Sequence, residues 1–180
     1  MTQNNILTKQ PDNINLLNSN KYSLTFPTLP HINYFIYSLI LPGVSTIAVP
    51  VGTPFTATKR HGDTLVYEPL TITVLADEDL RSWRETYDWL VGLTYPTKFK
   101  EYIGHYGLDT TKFPKQMLYS DAALIIRTNS ENPNFVYKFR DCHPVALSSI
   151  QFNNADNAEI TAYFDVTFEY DYYTIEPFNT

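Results

Sequence analysis

Apolar and polar residues alternate along much of this chain, most regularly near its C-terminal end. From Ile160 to Tyr173 the sequence reads ITAYFDVTFEYDYY, with an apolar or aromatic side chain at every second position. A period of two is typical of a strand that buries one face. Fourteen residues at about 3.3 Å each would reach roughly 46 Å, far beyond an ordinary strand. Either a bulge divides this strand, or part of it pairs with a strand outside the chain.

The same alternation predicts further strands in the rest of the chain. They are expected at residues 22–26, 34–41, 65–75, 120–128, 135–140 and 145–152. Pro69 interrupts the third of these and cannot donate a ladder hydrogen bond, so it is expected at an edge or a bulge. Short turns rather than helices join most of these strands. The sheet is therefore expected to be largely antiparallel.

One segment, residues 77–92, changes from the period of a strand to that of a helix. Its apolar positions recur every three or four residues and predict one stripe that packs on a face or an end of the sheet. Asp77 is the expected N-cap, acidic residues follow it at the positive end of the helix dipole, and Gly92 is the expected stop. The predicted stripe consists of Leu80, Trp83, Tyr87, Leu90 and Val91.

Two segments show no sustained period. Residues 1–20 contain six Asn and no sustained apolar period, so they cannot offset their own ordering entropy and are interpreted as an N-terminal arm. Residues 94–117 are rich in Lys, Tyr, Gly and Pro and are interpreted as a long loop. The remainder, 21–180, is assigned to one β domain, because a chain of 180 residues suits a single core.

Residues 44–63 alternate short β-prone runs with Pro and Gly, and they are expected to form a hairpin or loop that stands off the body. Like the arm, this segment carries too little apolar surface to fold alone. We therefore expect neighbouring subunits to order both segments. The candidate contact residues are Val51, Phe55, Lys59, Arg60 and His61.

The amino-acid composition limits the possible functions of the protein more than it limits the possible folds. An aromatic content of 15% favours strands, so the expected class is mainly β, of the α+β type, with one flanking helix. Thirteen Lys and Arg against 19 Asp and Glu give a net charge of -6, which argues against binding of DNA or RNA phosphates. The single Cys142 excludes an internal disulfide and fits a reducing, intracellular origin. No segment predicts export or a membrane helix.

We predict no catalytic site and no enzyme activity. One group of acid, histidine and serine residues suggests the catalytic site of a hydrolase, but the sequence has no nucleophile elbow and no Gly-rich oxyanion turn. Its members are Asp141, His143, Ser148 and Ser149. The four His lack the spacing of metal ligands, and no phosphate-cradling loop is present, so neither a metal nor a cofactor is expected. Carbohydrate binding is a remoter alternative, and it requires several of the 14 Tyr to be exposed together on one concave surface.

Several sequence blocks together resemble the tail-tube family of contractile-tailed bacteriophages. The blocks are LPGV at 41–44, GDTLVYEPLTITVLADEDLRSW at 62–83, YDWL at 87–90, DAALII at 121–126, FRDCHPVALSSIQF at 139–152 and YFDVTFEYDYYTI at 163–175. They cover most of residues 21–175. Their order, rather than any single block, carries the resemblance.

The resemblance implies an antiparallel β-sandwich or barrel-like subunit with one flanking helix and long loops. It implies a non-enzymatic virion protein, assembled in the host cytoplasm, whose six copies form a ring around a channel for genomic DNA. The implied partners are neighbouring tail-tube, sheath or baseplate proteins, with no membrane and no specific DNA binding. The sequence departs from the family pattern at His143 and in the Asn-rich arm. These departures leave open three roles along the tail: a tube subunit, a baseplate tube initiator and a terminator ring at the neck.

The last strand supplies candidate channel residues for such a ring. Asp165, Glu169 and Asp171 alternate on its polar face, and no Lys or Arg follows Arg140. A wall of carboxylates would repel the phosphates of passing DNA. The alternative is a solvated outer face on which these acids only aid solubility.

Overall fold

The computed structural model describes residues 14–52, 54–94, 119–153 and 161–178, which contain nine strands and two helices. In chain order these are β1 (Tyr22–Thr25), α1 (Ile32–Phe35), β2 (Ile36–Ile40), β3 (Val44–Gly52), β4 (Ala57–Tyr67), β5 (Leu70–Leu75), α2 (Arg81–Thr94), β6 (Ser120–Arg127), β7 (Pro133–Leu147), β8 (Tyr163–Glu169) and β9 (Tyr172–Pro177). The mainly β class is confirmed. Of the predicted arm only residues 14–20 are described, and the loop predicted at 94–117 lies outside the described residues from 95 onward.

Two antiparallel sheets share the long strand β7. The first sheet has the order β1-β6-β7-β9 and uses residues 133–142 of β7. The second sheet has the order β7-β8-β5-β2 and uses residues 143–147. At the border between the sheets Asp141 adopts a left-handed backbone conformation, with φ of 55°. Its N–H donates a hydrogen bond of 3.3 Å to the Asp121 carboxylate, which supports the bend.

The overlong C-terminal strand is divided, as one of the two interpretations predicted. β8 ends at Glu169, and β9 begins at Tyr172. Both halves pair with β7, and the register is the same on the two sides of the break, with Glu169 opposite His143 and Tyr172 opposite Arg140. Further along β8 the register shifts by one residue, between Pro144 and Ala146 of β7. The partner of this strand is therefore within the chain, and its length gives no evidence of pairing with another chain.

The hairpin predicted at 44–63 is present as β3 and β4, which form a separate two-stranded sheet. Its ladder continues that of β2 and β5 in the same register. Ile40 lies opposite Thr71, and four residues further along Val44 lies opposite Tyr67. The hairpin is therefore an extension of one edge of the second sheet.

Three strand predictions differ from the structure in their bounds. The strand expected at 65–75 is divided between β4 and β5, and the break includes Pro69, which has no N–H to donate. The strand expected at 34–41 begins two residues later because the one-turn helix α1 occupies its start, so the prediction of a single helix was incomplete. The strand expected at 135–140 and the start of the one expected at 145–152 form one continuous strand, β7, which ends at Leu147, so residues 148–152 are not in a strand.

The core lies between the two sheets and α2. Phe26 and Phe168 stack with ring centroids 4.6 Å apart, and Trp89 of α2 reaches Phe168 at 6.2 Å. Asn33 fixes Phe26 through hydrogen bonds to its backbone N–H and carbonyl, at 2.8 and 3.0 Å. Burial of each large apolar side chain contributes about 1.5–3 kcal/mol. The buried residues of β8 are Phe164, Val166 and Phe168, which confirms the inward face predicted for that strand.

Asp77 caps α2 as predicted, but the helix begins later than residue 77. The Asp77 carboxylate accepts hydrogen bonds from the backbone N–H groups of Arg81 and Ser82, at 2.9 and 3.1 Å. Residues 77–80 form a turn in which Leu80 has a φ of 53°, so helical geometry begins only at Arg81. The predicted end was also wrong, because α2 passes through Gly92 and ends two residues after it.

The apolar stripe predicted for α2 is correct only in part. Trp83 is partly buried and packs against the core, but no member of the predicted stripe is fully buried. The residues that α2 buries are Ser82, Thr86, Trp89 and Gly92. Three of these are small, and small side chains let the helix backbone lie close to the sheet while one indole fills the remaining space. Tyr87, a member of the predicted stripe, is 47% exposed and stacks on Trp83 with ring centroids 5.3 Å apart.

Candidate assembly surfaces

The outer face of the second sheet carries a row of hydroxyl groups around one acid. Thr73 of β5 donates a hydrogen bond of 2.7 Å from its hydroxyl to the Asp165 carboxylate of β8. Ser38 of β2 lies opposite Thr73 and continues the row on one side. On the other side, the Ser148 hydroxyl accepts a hydrogen bond of 2.8 Å from the Asp165 N–H. Asp165 is therefore held near the centre of this exposed face.

The three residues predicted to face a channel divide between two places. Glu169 shares the outer face with Asp165 and lies opposite His143. Asp171 lies between β8 and β9, where its N–H donates a hydrogen bond of 3.0 Å to the Arg140 carbonyl. Asp165 and Glu169 thus belong to the sheet surface, whereas Asp171 belongs to the bend between the sheets.

The outer faces of the two sheets differ in charge. The strand residues of the second sheet include no Lys or Arg. On the first sheet, basic and acidic side chains are paired, as in Lys138–Glu176 at 2.6 Å and Arg140–Asp121. Exposed pairs of this kind contribute only about 1 kcal/mol or less, but they neutralise the surface. The second sheet therefore presents the acidic face.

Both edges of the second sheet lack a partner strand within the described residues. β2 pairs only with β5, and residues 143–147 of β7 pair only with β8. Unpaired edges of this kind recruit other strands. Because each neighbour in the sheet is antiparallel, β2 and β7 run in opposite directions. The β2 edge of one copy can therefore pair with the β7 edge of another as antiparallel strands.

The hairpin residues predicted to contact a neighbour lie on different faces. Arg60 and Val51 point to one side of the two-stranded sheet. Lys59 and His61 point to the other. Phe55 lies at the tip, between β3 and β4, and is 98% exposed. The predicted set is therefore not one contact surface but two surfaces and a tip.

The hairpin also has an apolar face that was not predicted from the sequence. Ile47 and Val49, exposed by 63% and 48%, lie on the same side as Val51. We call these three residues the apolar hairpin face. An isolated two-stranded hairpin is only marginally stable in water, so this face favours a covering partner. The period-two spacing of the three residues was the signal that could have found it.

The structure brings no catalytic group together from the hydrolase candidates. The His143 ring contacts the backbone carbonyl of Asp141 at 3.4 Å, and the Ser148 hydroxyl is occupied by the Asp165 N–H. Among the described residues, no group of His, Cys, Asp and Glu is placed to hold a metal ion. In that same part of the chain, no helix is long and apolar enough to cross a bilayer.

The tyrosines do not form a shared exposed platform in the described residues. Those with exposed rings lie on five elements and are Tyr34, Tyr37, Tyr87, Tyr163 and Tyr172. The grouped tyrosines are Tyr67, Tyr137, Tyr170 and Tyr173, which pack on one another with ring centroids 5.2 to 6.1 Å apart. This arrangement gives the carbohydrate alternative no support.

A comparison of the sequence with protein families identifies the family of this chain. The family model described as phage tail tube protein matches residues 9–176. The chain belongs to this family. The tail-tube resemblance drawn from the sequence blocks is thereby confirmed.

Individual relatives of this tail tube family member come from phages and injection systems. The tail tube terminator protein of Enterobacteria phage T4 is 24% identical over an alignment of 144 residues, and the match covers 76% of this chain and 70% of the relative. A chain of the tube-terminating cap of the anti-feeding prophage has a TM-score of 0.59 and 14% identity, covering 94% of this chain and 99% of that one. A chain of the extended sheath-tube complex of PVC, an extracellular contractile injection system, has a TM-score of 0.55 and 11% identity, covering 98% and 99%. The structural likenesses confirm the tail-tube fold.

Proposed function

We propose that this tail tube family member assembles head to tail into a ring of six copies whose second sheets line a channel for phage DNA. The observation that carries the proposal is the second sheet, whose two edges run in opposite directions and have no partner strand in the described part of the chain, and whose strands carry acidic residues but no Lys or Arg. In the ring, β2 of each copy pairs with the β7 edge of the next. Head-to-tail contacts of this kind close into rings when the rotation between copies divides a full turn.

The dimensions of such a ring suit a channel. Each copy contributes the four strands of its second sheet. With six copies, a strand spacing of about 4.8 Å and a tilt of about 40°, the wall would be roughly 50 Å across at the backbone. An interior of that width is open rather than filled by side chains.

The charge of the outer face supports its placement toward DNA. Asp165 and Glu169 from every copy would make a negative wall that repels phosphates, so that DNA passes without specific binding. The first sheet, with its paired charges, would face outward toward other tail proteins. The protein acts as a structural component of the virion rather than as an enzyme, and it assembles in the host cytoplasm.

The hairpin and the arm supply contacts between copies. The apolar hairpin face packs on a neighbouring copy, and Phe55 at the tip offers an almost fully exposed aromatic ring for a further contact. Lys59 and His61, on the opposite side, remain available to a second neighbour. Residues 14–20 extend along the surface, where the Leu16 carbonyl accepts a hydrogen bond of 3.1 Å from the Asn129 side chain. Leu16 and Leu17 stay exposed for a partner.

Of the three possible positions along the tail, the end of the tube is the best supported. The T4 relative is a tail tube terminator, and the anti-feeding prophage chain belongs to a tube-terminating cap. A terminal ring would contact tube and sheath proteins. A repeating tube subunit and a baseplate initiator are the alternatives. Quantitative mass spectrometry of purified virions separates a single ring from a repeating tube, because a tube contains many times more copies than one ring.

Cysteine pairs at the two edges test the ring. Ser38→Cys on β2 and Ala146→Cys on β7 place exposed thiols on the edges that the proposal joins. Facing residues of antiparallel strands have Cα atoms about 4.5–5.5 Å apart, within the range of a disulfide. Oxidation should give a ladder of linked copies that ends at six. Cys142 should not interfere, because burial raises the pKa of its thiol to about 12.

Each single-cysteine variant is a control and should give no ladder beyond two copies. Ile40→Cys with Ala146→Cys samples a register shifted by two residues between the same edges. A ladder that stops at two for the double variants would indicate a two-fold dimer and overturn the ring. Assembled rings without links in either pair would overturn the edge pairing itself.

A further inference from the structure

The fold contains two long antiparallel ribbons whose strands are interrupted at the same place, and we call these two interruptions the bends. One ribbon is formed by β2 and β3 against β4 and β5, and the other by β7 against β8 and β9. The first is interrupted around Glu68, and the second at Tyr170. The Tyr170 hydroxyl donates a hydrogen bond of 2.8 Å to the Glu68 carbonyl, so the two bends are tied together.

The bend of the first ribbon replaces one ladder bond by side-chain bonds. Every second pair of facing residues in an antiparallel ladder exchanges two backbone hydrogen bonds. Glu68 N–H donates to the Gly43 carbonyl at 3.0 Å, but Gly43 N–H donates to the Glu68 carboxylate at 3.1 Å. The Glu68 carbonyl is thereby released from the ladder and accepts the hydroxyl of Tyr170. Pro69 follows directly and has no N–H with which to restore the ladder.

Aromatic contacts hold the end of β4 on the second ribbon. The ring of Tyr67 meets those of Tyr170 and Tyr173 edge-on, with centroids 6.0 and 5.2 Å apart. Phe139 of β7 packs on Tyr170 from another side, at 5.0 Å. Burial raises the pKa of the Tyr170 phenol, so its hydroxyl stays protonated and remains a donor at neutral pH.

We propose that Gly43, Tyr67, Glu68 and Tyr170 form a joint that fixes the angle between the hairpin and the sandwich. The outer part of the hairpin is exposed on both sides, so its direction depends on how its base is held. A hairpin held at one angle reaches a neighbouring copy already oriented and loses less entropy on contact. The joint acts within a single chain, and only its consequence for assembly rests on the proposed function.

Distances between spin labels on the full chain test the joint. Thr58→Cys on the hairpin and Thr174→Cys on β9 are exposed labelling sites, and the buried Cys142 stays unlabelled. The parent should give a narrow distance distribution by double electron–electron resonance. Tyr170→Phe keeps the ring but loses the hydroxyl, and we expect about a twofold broader distribution because the bond between the ribbons is gone.

Two further variants complete this test. Gly43→Ala would place a Cβ 2.6 Å from a Glu68 carboxylate oxygen and displace it, so it should also broaden the distribution. Tyr172→Phe, two residues from Tyr170 on the exposed side, is the matched control and should match the parent. Circular dichroism verifies the fold of each variant. Unchanged distributions in both Tyr170→Phe and Gly43→Ala would overturn the joint. If Tyr170→Phe and Gly43→Ala broaden the distance distribution but the edge-cysteine variants form no linked rings, the proposed ring is wrong. The proposed joint is still supported in that case.

Discussion

Thr73 and Asp165 face each other across β5 and β8, and the hydroxyl of the first donates a hydrogen bond of 2.7 Å to the carboxylate of the second. This bond ties an acidic side chain to the outer face of the second sheet at a set position. Glu169 lies further along the same strand and on the same side. These two acids are therefore the residues with which the proposed channel is best tested.

Replacement of both acids by Lys should convert a repelling wall into an attracting one. We expect particles with Asp165→Lys and Glu169→Lys to assemble but to release DNA more slowly, by on the order of tenfold at low salt. Added salt should relieve the defect, because screening shortens the reach of exposed charges to about 8 Å or less. Release of DNA from purified particles, followed by a fluorescent dye at several salt concentrations, measures the effect.

A variant with the same change in net charge away from the sheet is the control. Glu78 and Asp88 are exposed near or on α2, and their double replacement by Lys should leave release normal. Asp171→Lys should have a smaller effect than Asp165→Lys, because Asp171 lies at the bend rather than on the sheet face. Normal release from assembled Asp165→Lys, Glu169→Lys particles would contradict the placement of this face in the channel.

The cap of α2 should contribute to stability in a pH-dependent way. Desolvation raises the pKa of Asp77, but hydrogen bonds from the Ser82 hydroxyl and from the N–H groups of Arg81 and Ser82 lower it more, so it lies below its usual range. A lowered pKa stabilises the folded state above the unfolded value of about 3.9, and this contribution is lost as the pH falls through the folded value.

Asp77→Ala should therefore cost about 1 kcal/mol at pH 7 and much less in acid. Urea unfolding of parent and variant at pH 7 and at low pH measures the difference. Asp88→Ala, which removes an exposed acid from the middle of the same helix, should show no such pH dependence. If the stability of the Asp77→Ala variant falls with acid as steeply as that of the parent, the cap is not the source of the pH dependence.

Removal of the outer hairpin should separate folding from assembly. Replacement of residues 46–65 by an Asn-Gly turn keeps the pairs nearest the joint, including Ser45 opposite Val66. The deleted part contributes nothing to the buried core, so the melting temperature should change little. Rings seen by electron microscopy should be lost, since the contacts of the apolar hairpin face are gone.

Point variants on the two sides of the hairpin refine this test. Val49→Lys changes the apolar hairpin face, whereas Ala48→Lys changes the opposite side of the same strand. We expect the first to impair ring formation more than the second. Weak amide hydrogen-exchange protection of the outer hairpin is also expected in the isolated chain, because an uncovered two-stranded hairpin opens readily. Strong protection in a verified monomer would show that the hairpin needs no neighbour.

The tyrosine-rich last strand shows what the local sequence pattern can predict and what it cannot. Its alternation assigned Phe164, Val166 and Phe168 to the core, and these side chains are buried. The pattern could not locate the division of this strand near Tyr170, because the division depends on where β7 bends and on the contact of Tyr170 with Glu68. Residues distant in sequence decide both.

By itself, the sequence determined the mainly β class, the inward face of β8, the capping role of Asp77 and the family of the chain, because each follows from local periodicity, local hydrogen bonding or the order of motifs. Only the tertiary structure decided that α2 buries Trp89 rather than Tyr87, since both fit a helical period and the closeness of the sheet selects between them. Only the tertiary structure showed that the edges of β2 and β7 are unpaired among the described residues, and that Tyr170 contacts Glu68. Strand order and the meeting of two bends are set by long-range packing, which no single segment encodes.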